Sequence, residues 1–128
     1  MTPCGEHRFP RSSRLVKRRD FLAVYMDGRR RRSGPLLIHA MPNGLGECRL
    51  GMAVPRGAGN AVARNRIKRR CREAFRLFRD SWPAGYDVVI GVHRHEVLDV
   101  DAYARAIGDV LRSLHEQWPR KRRQRDQD

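Results

Sequence analysis

The chain has 128 residues, 40% of them hydrophobic and 33% charged, which is enough for one compact core and too few for two ordinary domains. Its 28 Lys and Arg exceed its 14 Asp and Glu by 14, a balance that an enzyme acting on cationic or neutral metabolites has no use for and that makes a polyanion the first partner to consider. The excess is uneven: residues 1–79 hold 20 basic and 5 acidic side chains, and residues 80–128 hold 8 and 9.

No apolar run approaches the roughly 20 residues that span a bilayer, and the arginine-rich start lacks the apolar segment of a signal peptide, so a cytoplasmic protein outside any membrane is expected. Cys4, Cys48 and Cys71 are odd in number, far apart and without a C-x-x-C pair. They read as reduced, unliganded thiols, with neither a disulfide framework nor a zinc site.

In chain order, residues 1–13 combine Pro3, Gly5 and Pro10 with Arg8 and Arg11 and read as a basic arm that orders only on a partner. A helix is predicted over 17–27 from Phe21, Leu22, Val24 and Tyr25, with Gly28 stopping it in a left-handed conformation. Residues 36–41 (LLIHAM) and 49–54 (RLGMAV) read as strands, and the Asn43-Gly44 pair between them predicts a hairpin.

A second helix is expected from an Asn60 cap to Phe78, because Ala63, Ile67, Cys71, Ala74, Phe75 and Phe78 recur at helical spacing and define one apolar sector. Residues 86–92 (YDVVIGV) have the continuous apolar character of a strand buried on both faces. A third helix, capped by Asp99 or Asp101, carries Tyr103, Ile107, Val110, Leu111, Leu114 and Trp118 toward the sheet. Residues 120–128 hold no apolar side chain, and from Pro119 on, 119–128 reads as a basic, disordered tail. One domain, 14–118, remains between arm and tail.

The densest chemistry is in residues 64–72, with six basic side chains in nine. Arg64, Lys68, Arg72, Arg76 and Arg79 form one stripe beside the apolar sector, while Arg66, Arg69 and Arg70 point elsewhere. Like charges at i and i+4 repel by a few tenths of a kcal/mol, so an anion is needed to offset the stripe. Arginine offers a planar fork for phosphate, and Asn65 can read a base edge or a 2′-hydroxyl. A merely solvated face is the alternative, which this density and asymmetry disfavour. Phe21 and Tyr25, one turn apart, can form a platform for unpaired bases, although core packing explains their spacing equally well.

These residues resemble the bacterial ribonuclease P protein component. The resemblance is carried by RLGMAV (49–54), GNAVARNRIKR (59–69), EAF (73–75) and the earlier Leu15, Asp20, Phe21, Tyr25 and Gly28, and it runs from about Arg14 to Leu114. It implies an α+β single domain ordered α-β-β-β-α-β-α, a two-layer sandwich of ribosomal-protein type with a left-handed β-α-β crossover, against the usual handedness rule. It also implies a short edge strand near residues 30–33, which composition alone reads as a basic loop.

In that family the protein is the cofactor of a catalytic RNA. The holoenzyme removes the 5′ leader of precursor tRNA, and the RNA with its Mg²⁺ ions does the chemistry. The resemblance assigns no catalytic residue to the protein and implies a 1:1 complex with ribonuclease P RNA. It places Arg64, Asn65, Arg66, Lys68, Arg69 and Arg72 on the helix that faces the catalytic RNA. Phe21 and Tyr25 fall at positions lining the cleft for the single-stranded leader. His39 stands where relatives often have an aromatic, and Pro55, Arg56 and Gly57 depart from the usual Ser or Thr followed by two basic residues.

Two other classes compete. A protein-only metal nuclease needs a carboxylate and histidine cluster; His93, His95, Glu96, Asp99 and Asp101 are the candidates, and they lack a convincing third ligand, so the histidines read as surface residues of a loop. Asp20 and Asp87 read as capping or pairing groups. A noncatalytic RNA binder, such as a ribosomal protein or RNA chaperone, shares the composition and differs in being indifferent to the leader.

Overall fold

A computed structural model describes residues 14–118; the predicted arm and tail lie outside them. The elements are α1 (Arg18–Asp27), β1 (Arg29–Ser33), β2 (Leu36–Pro42), β3 (Arg49–Ala53), α2 (Ala61–Phe78), β4 (Tyr86–Val92) and α3 (Val100–Gln117), with single 3-10 turns at Arg56–Ala58 and Arg79–Ser81. The four strands form one mixed sheet in the order β1-β2-β4-β3. Strand β4 runs antiparallel to β2 and parallel to β3, so α2 is the crossover of a β-α-β unit. This is the α+β element order that the resemblance implied.

The expected hairpin between residues 36–41 and 49–54 is not formed: β4 lies between these two strands. The Asn43-Gly44 turn does exist, with Gly44 at φ 73° and the Asn43 carboxamide oxygen accepting from Leu45 N–H at 2.7 Å. It redirects the chain across a strand-wide gap instead of closing a ladder. The hairpin of this protein joins β1 to β2 through Gly34, at φ 57°. Its first strand is four arginines and a serine, too polar to announce itself by alternation.

Gly28 also differs from expectation. It ends α1 with φ −86°, outside the left-handed region. A Cβ there would lie 2.5 Å from the Val24 carbonyl oxygen and 2.7 Å from that of Ala40, so glycine is required by the close approach of α1 to β2.

Burial alternates along β2. Leu36, Ile38 and Ala40 enter the main core with Val88, Ile90, Ile67, Phe75, Tyr103 and Ile107, beneath α2 and α3. Each such large side chain contributes about 1.5–3 kcal/mol on burial. Among the described residues the other face receives only α1, through a small cluster of Leu15, Val24 and Val89 with Phe21, Met41 and Ala53 against it. A ten-residue helix is too short to cover four strands. Part of that face is therefore open.

The two long helices are as expected. Asn60 caps α2 by accepting from Ala63 N–H at 2.8 Å, and Asp99 rather than Asp101 caps α3 by accepting from Ala102 N–H at 2.8 Å. Both caps satisfy N–H groups that a helix start leaves without partners.

Candidate nucleic-acid interface

The open part of the α1 face is a groove of about 500 Å³ lined by Tyr25, Leu37, His39, Ala53, Val54, Pro55, Gly91, Val92 and His93. Leu37, His39, Ala53 and Gly91 alternate with core residues along β2, β3 and β4, so the floor is the sheet's second face. Tyr25, 42% exposed, stands as a wall from α1 and meets the His39 ring edge to face at 4.8 Å. Burial pushes the Tyr25 hydroxyl pKa up. Burial, and secondarily the charge of Arg30, hold the His39 pKa below its ordinary value.

Phe21 is placed differently from Tyr25. Its ring packs over Gly51, where a Cβ would come within 2.7 Å of the ring tip, and it joins the cluster with Leu15, Val24 and Val89. The two rings predicted to form one platform are therefore divided: Phe21 supports α1 from below, and Tyr25 pairs with His39 across the groove.

Around the β3 edge lies a basic concavity of about 300 Å³ lined by Arg14, Asn65, Lys68, Arg69, Arg72, Glu73 and Arg76. Arg14 reaches it because the chain before α1 bridges in parallel to Leu50 of β3, with Leu15 N–H donating to Leu50 C=O at 2.9 Å. No sequence signal marks that bridge.

Within α2 the arginines divide by task. Arg76 forks onto Glu73, its i−3 neighbour. Arg79 lies 5.7 Å from the Phe75 ring centre. Arg70 donates to Leu98 C=O at 2.8 Å and ties α2 to the approach of α3, while Arg64 donates to Gly59 C=O at 3.1 Å. Lys68, Arg69 and Arg72 face the concavity with Asn65, and Arg66 is exposed. Arg69 thus joins the stripe from which wheel geometry separated it.

The metal-nuclease candidates do not converge. Among the described residues no three His, Cys, Asp or Glu side chains gather closely enough to hold an ion. His95 Nε2 hydrogen-bonds the Tyr103 hydroxyl at 2.7 Å, and Asp99 is occupied as a cap. Asp87, 3% exposed, accepts both arms of Arg49 at 2.7 and 2.8 Å and the Asn43 amide at 2.9 Å. Cys48 and Cys71 are free and buried, and burial pushes the Cys71 thiol up to about 12.

The sequence model of the family described as Ribonuclease P matches residues 9–115. The chain belongs to the ribonuclease P protein family. Among its relatives, the ribonuclease P protein component of Syntrophus aciditrophicus is 46% identical over 80 residues, 62% of this chain and 67% of that one. That of Desulfovibrio desulfuricans is 39% identical over 105 residues, 80% of each chain. The fold is similar to the RNase P protein from Thermotoga maritima, with TM-score 0.70 and 30% identity over 78% of this chain and 96% of that one. It is likewise similar to the Staphylococcus aureus RNase P protein, with TM-score 0.67, 26% identity and coverage of 79% and 94%.

Within this ribonuclease P protein fold the family motif is the stretch that links the two surfaces. Val54 and Pro55 close the groove, the 3-10 turn follows, and Asn60 starts the basic helix. No helix among the described residues is long and apolar enough to cross a membrane.

Proposed function

We propose that this ribonuclease P protein binds the catalytic RNA through α2 and holds the single-stranded 5′ leader of precursor tRNA in the groove of Tyr25 and His39. The observation that carries this reading is the continuity of an apolar, aromatic-walled groove with the start of a helix bearing an arginine-rich concavity. Unpaired bases stack on aromatic walls, and phosphates are held by guanidinium forks. A duplex would need neither a narrow groove nor a ring pair, whereas a single strand uses both.

The protein's part is binding and positioning. Asn65, Lys68, Arg69 and Arg72, flanked by Arg64 and Arg66, take the RNA subunit in a 1:1 complex, and Tyr25 with His39 holds the leader, while Phe21 supports α1 from beneath. In this reading the Mg²⁺ ions of hydrolysis belong to the RNA, and no catalytic residue is assigned to this chain. A cytoplasmic location follows from that partnership.

The test is reconstitution with a bacterial ribonuclease P RNA transcript at low Mg²⁺, following cleavage of a 5′-labelled precursor tRNA. Silence from protein alone and accurate cutting by the mixture support the reading. RNA binding without any stimulation of cleavage replaces it with a noncatalytic RNA binder.

A further inference from the structure

The four consecutive arginines of β1 divide by strand alternation. Arg29 and Arg31 point to the α3 side: Arg29 donates to the Gln117 carbonyl at 3.3 Å and lies 5.3 Å from the Trp118 ring centre, and Arg31 donates to Gln117 Oε1 at 3.1 Å. These two close the C-terminal end of α3, where carbonyls accumulate negative charge.

Arg30 and Arg32 have the opposite orientation. In the β1–β2 ladder Arg30 is directly across from His39 and Arg32 from Leu37, and directly opposed residues project from the same face. Both partners are groove residues. A second concavity, about 410 Å³, wraps the β1 edge: Tyr25, His39 and Arg30 line it from the groove side, and Arg29, Arg31, Leu114 and Gln117 from the α3 side. The Tyr25–His39 pair is therefore a waist, with the apolar groove on one side and Arg30 on the other. Among the described residues Arg32 makes one hydrogen bond, to the Gly34 carbonyl at 3.3 Å, within its own turn. Arg30 is exposed and has no hydrogen bond or ion pair within the described residues.

Arg30 and Arg32, with one residue between them on a strand edge, repel each other, and among the described residues the only hydrogen bond they gain is that of Arg32 to the Gly34 carbonyl. Beside a groove shaped for bases, they match the backbone that accompanies those bases. Resting on the leader-groove reading above, we propose that Arg30 and Arg32 form a phosphate track along β1 that carries the leader past the Tyr25–His39 waist. Leader affinity then depends on nucleotides beyond those the apolar groove accommodates, and that added contact is ionic.

The experiment uses the full-length protein reconstituted with ribonuclease P RNA, and measures Kd against KCl for precursor tRNA with a long leader and with a leader trimmed to one nucleotide. Arg30→Gln and Arg32→Gln should each lower the log–log salt slope for the long leader by roughly 0.7, the increment for one single-strand phosphate. The trimmed substrate should be unaffected, and the melting temperature unchanged. An equal loss on both substrates overturns the track by placing these arginines on another part of the RNA. An unchanged slope, with Tyr25→Ala abolishing discrimination between leaders, overturns the track and leaves the groove standing. If Tyr25→Ala also leaves that discrimination intact, the groove reading itself falls.

Discussion

Tyr25 and His39 meet edge to face where the groove adjoins the concavity at the β1 edge. Removing one stacking wall costs about 1–3 kcal/mol per base, so Tyr25→Ala should weaken precursor tRNA binding by the holoenzyme about fivefold or more and leave mature tRNA unaffected. Competition binding with the two RNAs measures this. The effect of Phe21→Ala should differ in kind, because that ring packs over Gly51 beneath α1. It should lower thermal stability as well as leader affinity.

His39 adds a pH dependence. Its folded pKa lies below the ordinary value of 6.5, mainly through burial and then through Arg30. Between the two values the unfolded chain binds the proton more readily than the folded one. Stability should therefore fall as pH drops below about 6.5 and stop falling once the folded pKa is passed. Urea melts across that range should show a shallower decline in His39→Gln. At Gly28 the conflict is purely steric: a methyl group meets backbone oxygens of both α1 and β2. Gly28→Ala should cost at least the upper part of the roughly 1–3 kcal/mol typical of overpacking, read from denaturant midpoints.

Helix α2 shows which elements a sequence can disclose. Its cap and apolar sector were readable because Asn60, Ile67, Cys71, Ala74 and Phe75 act within one helix, where neighbours are three or four residues apart. The roles of its arginines were less readable, since Arg70 finds its carbonyl 28 residues away and Glu73 diverts Arg76. Arg72→Ala should lower the salt slope of RNA-subunit binding by roughly one, and Arg76→Ala by less, because its partner already neutralises it. Titration in KCl separates the two.

Strand pairing was the illegible part. The local turn signal at Asn43-Gly44 was real, but its strands pair with residues 86–92, which no local pattern reveals. β1 was hidden for the opposite reason: it has no apolar residue, and its register appears only against β2. The groove inherits both difficulties, since its floor comes from three strands and its wall from a fourth element.

At the scale of the whole molecule, the Arg49–Asp87 pair joins β3 to β4 in the parallel half of the sheet, with Asn43 anchoring the β2–β3 connection to the same carboxylate. Asp87 is buried and Arg49 partly exposed, so removing Arg49 leaves a buried carboxylate with only the Asn43 amide of these two partners. Arg49→Ala should accordingly cost about 3 kcal/mol, measurable by chemical denaturation, while Arg112→Ala, whose i−3 partner Asp109 is exposed, should cost well under 1 kcal/mol.

The central position of β4 has a consequence for biosynthesis. A chain leaves the ribosome N-terminus first, so β1 and β2 can pair early while β3 waits for a neighbour that is made after the whole of α2. Until β4 is available the arginine-rich segment has no completed sheet to pack on, beside a particle built largely of RNA. Released chains truncated at Gly85 should be protease-sensitive and sediment with ribosomes in a salt-reversible way, whereas the full-length chain, with β4 and α3 in place, should be resistant.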